Sequence, residues 1–327
     1  MEVLGGDYRF QTSFYLNADR ALYVRGGGDP FLISEELALL APRIVAAVGQ
    51  EPLTGIVLDA SYFPSDLRIP GIEYTDEPYD ALNSALAVNF NTINAVRKGK
   101  TVRSAEKQTP ITPLAISQFR ARGPHGRGRI SLTQEDPTVS LRYAGELLAA
   151  FIERAGGTVK GEISMGSVPE SLEPVYIHRQ SRALSEILTE MLLDSNNYIA
   201  NQVFLEIGAQ RLGGPVSLEK SLQVANTKLA AHGLAEAIHL EEGSGISNGN
   251  RFTARGLARL LQLFAPHAGL LRRRGDTSFK TGSLSGVRTL AGYAKTSKHG
   301  QVRFVISLRG NNGTMRFRLL RTIESGL

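Results

Sequence analysis

From residue 184 to residue 264 the apolar side chains recur at helical spacing, and from 278 to 308 they change to three short strand-like runs joined by tight turns. A helical block followed by an antiparallel meander leaves few folds open, because the meander must bury one face against helices. Leu184, Ile187, Leu188, Met191 and Leu192 form one helical stripe, and Ile199, Val203, Phe204 and Ile207 form another. The polar pivot Asp194-Ser195-Asn196-Asn197 separates them. Further helices are predicted over 217–232, closed by Gly233, and 253–264. Strands follow at 278–284, 288–295 and 301–308, with Ser285-Gly286 and His299-Gly300 as turns, and an amphipathic helix from Met315 onward would cover the sheet. No stretch supplies the roughly 18–20 uninterrupted apolar residues of a membrane span, since 184–207 is broken by Glu186, Glu190 and Asp194.

The first half is mixed. Residues 8–24 alternate apolar and polar side chains and run into Gly26-Gly27-Gly28-Asp29-Pro30, which predicts two strands and a turn; no Gly-Lys-Ser/Thr follows to make a phosphate loop. Ser34, Glu35 and Glu36 open a helix that Gly49 stops. Strands are expected at 55–59, 85–90 and 158–163, and a helix from Thr138 to Gly156-Gly157. Residues 98–137 show no sustained period and read as loops with short strands.

With 327 residues the chain has room for about two domains. Cysteine is absent, which excludes disulfides, thiolate metal sites and cysteine nucleophiles. The net charge of +6 comes largely from arginines clustered at 120–129, 272–274 and 316–321, and so favours anionic partners. Few aromatics are interleaved with those arginines, which argues against single-stranded nucleic acid. The six histidines show no i,i+4 pairing for a zinc site, and no cofactor is expected.

Two motifs carry chemistry. Lys280-Thr281-Gly282-Ser283 sets a cation and a hydroxyl side by side on a strand edge, with a glycine that lets an extended ligand lie close; such an edge suits a peptide with a terminal carboxylate. In Ser195-Asn196-Asn197 a hydroxyl can pass a proton and a carboxamide can both accept from and donate to a peptide group, although Ser and Asn here would equally serve as helix caps.

Ser-x-Asn followed downstream by Lys-Thr-Gly forms the second and third parts of the signature of penicillin-interacting serine enzymes. Residues 4–10 (LGGDYRF), 22–30 (LYVRGGGDP), 194–200 (DSNNYIA), 242–247 (EGSGIS) and 280–284 (KTGSL) occur in that order. The chain resembles, over nearly its whole length, the class C low-molecular-mass penicillin-binding proteins, the D-alanyl-D-alanine carboxypeptidase/endopeptidase family. The resemblance implies an α/β fold: a β-lactamase/transpeptidase-like domain, its antiparallel sheet flanked by helices, carrying a large mainly-β insertion. On that division residues 1–16 join the catalytic domain to the insertion, 17–176 are inserted, and 177–327 carry both motifs.

The implied reaction is attack by a serine on the bond between two D-alanines of a peptidoglycan stem peptide, with water resolving the acyl-enzyme. By position Ser195 would relay a proton with help from Lys280, Asn197 would hold the substrate backbone, Thr281 would bind the terminal carboxylate, and Ser283 beside Gly282 would offer its N–H to the oxyanion. Stem peptides and β-lactams are the implied partners, with peripheral contact to an anionic envelope surface, in the periplasm or another extracytoplasmic space. Residues 1–7 do not read as a secretory signal.

The pattern departs from the family at its first motif. A Ser-x-x-Lys helix is expected just before Leu4, so the chain is expected to lack its nucleophile, the lysine beside it and the leading strands of the sheet, and to be inactive and less stable as it stands. The alternative is a non-catalytic relative that binds peptidoglycan or a partner. Two Ser-x-x-Lys strings occur elsewhere, Ser104 to Lys107 in the loop-rich region and Ser217 to Lys220 at a helix start, and neither is expected to be catalytic. Asn248 stands where the family often has a basic residue, and Ser181-Arg182-Ala183 replaces a more usual Ser-Pro pair.

Overall fold

The computed structural model describes residues 1–132 and 136–326. Strands β1 (Gln11–Leu16) and β2 (Ala21–Gly26) form the expected hairpin, followed by α1 (Ser34–Val48) and β3 (Gly55–Asp59), which joins β2 in parallel. Next come β4 (Thr92–Lys98), β5 (Thr101–Ser104), α2 (Pro113–Arg122) and β6 (Gly126–Ser131), with β4 central in a three-stranded sheet. After α3 (Thr138–Arg154), β7 (Ile163–Met165) and β8 (Pro174–Arg179) complete the first sheet, of order β7-β3-β2-β1-β8. Phe14, Leu22, Val24, Ile56 and Leu58 of that sheet pack with α1 and α3 in a core that continues through Ile93, Ala95 and Ile130 of the smaller one and Phe119 of α2. The expected domain limits at 16/17 and 176/177 fall within this sheet, the first in the β1–β2 hairpin and the second inside β8.

Helices α4 (Leu184–Asp194), α5 (Asn197–Leu212) and α6 (Leu218–Ala231), the short pair β9 (Ile238–His239) and β10 (Arg251–Phe252), and α7 (Ala254–Phe264) make up the helical block. The last sheet is antiparallel, of order β11-β12-β13-β14: β11 (Arg272–Arg274), β12 (Thr277–Leu284), β13 (Val287–Thr296) and β14 (Gly300–Arg309). Helix α8 (Gly313–Glu324) covers one face, setting Phe317 and Leu320 against Phe279, Leu290, Phe304 and Ile306. The other face meets α7 through Leu261, Tyr293 and Val305. Among the described residues no helix is long and apolar enough to cross a membrane.

Several expectations need correction. Residues 85–88 are buried but belong to no strand, and Asn89, Phe90 and Asn91 all take positive φ (52°, 59° and 52°), which turns the chain out of any ladder. Its backbone bonds go elsewhere: Ala85 accepts from Gly28 N–H (2.8 Å), and Asn89 N–H donates to Leu32 (3.2 Å). Within 98–137, α2 is a helix that buries only Ala115 and Phe119, too few to print a period; its readable signal was Thr112-Pro113, where the threonine caps Ala115 N–H (3.2 Å). Residues 133–135 of that stretch lie outside the described residues. The strand expected at 158–163 shrinks to a bridge between Leu53 and Val159, with β7 beginning only at Ile163. In α5 the expected apolar stripe is buried only at Ile199, with Val203 packed beside it, while Phe204 and Ile207 stay partly exposed; the rest of the inward face is Tyr198, Asn201, Gln202, Leu205, Glu206 and Ala209.

Candidate active site

The pivot between α4 and α5 divides three tasks among three residues. Ser195 ends α4 in the left-handed region (φ 57°, ψ 47°), its N–H bonded to Met191 O. Asn196 caps α5, its Oδ1 accepting from Ile199 N–H (3.0 Å). The capping that competes with function in the sequence therefore falls on the middle residue. Asn197, the first residue of α5, is half-buried, and its side chain makes no hydrogen bond among the described residues. The start of α4 is tied to the N-terminal segment, where Tyr8 O and Gly6 O accept from Leu184 N–H (2.9 Å) and Ser185 N–H (3.0 Å).

The polar inner face of α5 fixes this pivot within the fold. Gln202 donates to Gly28 O (3.0 Å) and Ser84 O (2.7 Å), and accepts from Asn83 Nδ2 (2.8 Å). Asn201 Oδ1 accepts from Gly243 N–H (2.7 Å), which docks the 242–247 loop on the helix. Within that loop Glu242 accepts from the N–H of Ser244 (2.7 Å) and of Gly245 (2.6 Å). Buried Glu206 takes hydrogen bonds from Tyr8, from Tyr62 (3.0 Å) and from Gln210 (2.8 Å). Burial, then the Glu206 charge, pushes both phenols above the ordinary tyrosine value. Apart from Gln210, one helical turn from Glu206, these partners lie far away in sequence, and nothing in the local pattern around 201–206 announces them.

On β12 the Lys280 ammonium donates to Ser195 Oγ and to Thr281 O (3.1 Å). Burial holds that ammonium below the ordinary lysine value, and the charges of Arg272 and Arg316 add to the effect. No carboxylate pairs with Lys280, Arg272 or Arg316 among the described residues. Gly282 has a reason the sequence did not suggest: a Cβ there would run into Thr289 Oγ1 on neighbouring β13. From α8, Arg316 Nη1 donates to Gly282 O (2.8 Å), Thr289 O (3.0 Å) and Ser283 Oγ (3.2 Å), bracing the strand where Ser283 stands exposed.

β11 pairs only with Thr277, Ser278 and Phe279, so from Lys280 onward β12 has a ladder partner on the β13 side alone. Ser195, Lys280 and Thr281 line one cavity of about 550 Å³, together with Leu192, Leu193, Phe279, Phe317 and the three arginines of β11. Asn197, Gly282 and Ser283 are not part of its wall. Neither Ser-x-x-Lys string reaches it. Ser104 Oγ donates to Glu106 O (2.8 Å), and Ser217 caps α6 by accepting from Lys220 N–H (3.1 Å), while the Lys220 ammonium bonds Gly213 O (2.7 Å) and Pro215 O (2.9 Å). Arg272, which lines the cavity, and Arg316, which braces β12 beside it, were left among surface charges by the sequence; their place in two arginine clusters bracketing Lys-Thr-Gly was the available signal.

The profile of the D-Ala-D-Ala carboxypeptidase 3 (S13) family matches residues 1–120 and 128–272. The match takes in Ser195 and Asn197 and stops short of Lys280. A D-alanyl-D-alanine carboxypeptidase of Actinomadura sp. (strain R39) is 28% identical over 393 residues, covering 96% of this chain and 71% of that protein. The crystal structure of penicillin-binding protein 4 (dacB) from Haemophilus influenzae superposes with a TM-score of 0.77 at 17% identity, covering 99% of this chain and 88% of that one. The same protein complexed with a β-lactam superposes at 0.68 and 19% identity, covering 98% and 87%. The chain belongs to the S13 family of D-Ala-D-Ala carboxypeptidases, which are serine peptidases, and it has the fold of penicillin-binding protein 4.

Proposed function

We propose that these residues bind peptidoglycan stem peptides ending in D-alanyl-D-alanine along the open part of β12, as the recognition half of a serine carboxypeptidase/endopeptidase site. The observation that carries the reading is the meeting of Lys280 and Ser195 beside a strand edge that β11 leaves free. An extended peptide antiparallel to β12 would add as a strand, its carboxylate reaching Thr281 and Lys280. Asn197 would hold the peptide backbone, and the Ser283 N–H would face the carbonyl that becomes an oxyanion, a donor typically worth about 3–4 kcal/mol. When the acyl-enzyme forms, the D-alanine amine leaves and needs a proton; the Lys280–Ser195 contact is a ready path for it, since a lysine lowered by burial and neighbouring cations gives up its proton more easily.

The inserted unit, on this reading, is the one enclosed by β1 and β8, and the enzyme works outside the cytoplasm, where its substrate is. β-Lactams, which imitate the substrate's end, would occupy the same edge, and the arginine-rich surface would favour contact with an anionic envelope. A second reading is favoured by the distance of both Ser-x-x-Lys strings from the cavity: residues 1–327 then hold the peptide without acylation. Two measurements on the full chain separate these. Titration with an N-acylated D-Ala-D-Ala dipeptide, followed by NMR, should perturb Ser195, Thr281 and Ser283. A covalent adduct with fluorescent penicillin would support the catalytic reading, and its absence alongside reversible binding the second. No perturbation by the dipeptide would sink both.

A further inference from the structure

Arg272 joins the two elements whose meeting makes the site. Its Nη2 donates to Leu193 O (2.8 Å), one of the carbonyls that the C-terminus of α4 leaves without a helical partner. A cation at a helix C-terminus also complements the helix dipole. Two residues further on, Ser195 holds a left-handed conformation that a non-glycine residue adopts only when its surroundings enforce it. The backbone of Arg272, meanwhile, pairs across the ladder with Phe279, the residue before Lys280. One side chain thus grips the turn that presents Ser195 from a strand position locked to the neighbour of Lys280.

We propose that Arg272 is a positioning residue of this site, fixing the Ser195 turn against Lys280 through the Leu193 carbonyl. The inference rests on reading Ser195 and Lys280 as the pair that handles the proton. Charge gives Arg272 a second effect. The charged groups around Lys280 are Arg272, Arg273 and Arg274 of β11 and Arg316 of α8, while α4 contributes Ser195 and ends in exposed Asp194. After burial, Arg272 is the largest influence holding the Lys280 ammonium below the ordinary value. A guanidinium keeps its charge at any working pH, so it can bias a neighbouring lysine without titrating itself.

The test uses the full chain, its lysines isotopically labelled, with Lys280 assigned by its loss in Lys280→Arg. Arg272→Gln should raise the Lys280 titration midpoint and speed amide exchange at residues 195–197 roughly threefold. Arg272→Lys, which keeps the charge on a group without the planar fork, should leave the midpoint low while exchange at the turn still rises. Unchanged exchange at the turn in Arg272→Gln overturns the proposal whatever the midpoint does, and so does a rise spread evenly over the chain, which would mark general destabilisation. No peptide enters this measurement. A chain that binds no D-Ala-D-Ala peptide can still bear out Arg272, and one that binds it can refute Arg272.

Discussion

Lys280 donates to Ser195 across 85 residues of sequence, and this contact sets the side chains of both motifs against each other. Replacing Lys280 by Met keeps much of the length of the side chain and removes its charge. Hydrogen bonds to charged groups contribute about 1.5–3 kcal/mol, so binding of an acylated D-Ala-D-Ala peptide should weaken roughly tenfold or more. Calorimetric titration checks this, and equal affinity for both proteins would remove Lys280 from the binding site.

Gly282→Ala should destabilise the chain, because the new methyl meets Thr289 Oγ1 on the adjacent strand. Overpacking of this kind costs about 1–3 kcal/mol and should lower the melting temperature by roughly 2–6 °C. Adding Thr289→Ala opens the space and should restore most of the loss. If the double variant melts no higher than the single one, the glycine is needed for something other than this contact.

What could be read in the sequence follows from the range of the interactions involved. The Ser195-Asn196-Asn197 pivot and the Lys280-Thr281-Gly282-Ser283 strand were legible because each lies between or within strongly patterned segments. The buried face of α5 was not. Asn201, Gln202 and Glu206 look like a solvated helix face until Gly243, Ser84, Tyr8 and Tyr62 are brought to them by the fold. Residues 85–90 misled for the opposite reason: an apolar run of strand length is buried as irregular chain, held by Gly28 and turned by three left-handed residues.

Asp29 should make stability fall as the pH rises. Its buried carboxylate accepts from Phe31 N–H (2.8 Å) and Gln180 Nε2 (2.8 Å), yet burial prevails and pushes the carboxyl up to about 6. In the unfolded chain it titrates near 4, so between about 4 and 6 the folded state keeps a proton that the unfolded state has released. Its contribution is therefore complete below about 4 and lost as the pH passes 6, a change of roughly 2–3 kcal/mol. Glu36, held lower than usual by His178 and Ser181 against its own burial, works in the other direction, its contribution disappearing only in more acid solution. Urea denaturation between about pH 5 and pH 7.5 should show the slope in the native chain and its absence in Asp29→Asn. Parallel slopes in the two proteins would contradict the assignment.

Ser217→Ala should cost about 1 kcal/mol, the usual value of an N-cap, with no effect on peptide binding, since Ser217 caps α6 and lies away from the cavity. Thermal denaturation and the same peptide titration check both halves. A loss of binding at unchanged stability would give this serine a role in the site.

β11 stops β12 from being open along its whole length. A guest strand laid antiparallel on Lys280 and the residues after it would run in the same direction as β11, with its C-terminal end toward Phe279, and the next place in the row is already filled by Arg272. A guest has no room to continue and must finish there. Recognition of a chain's end, on this geometry, needs no pocket shaped to a terminal residue: it follows from the protein's own strand having taken the next seat.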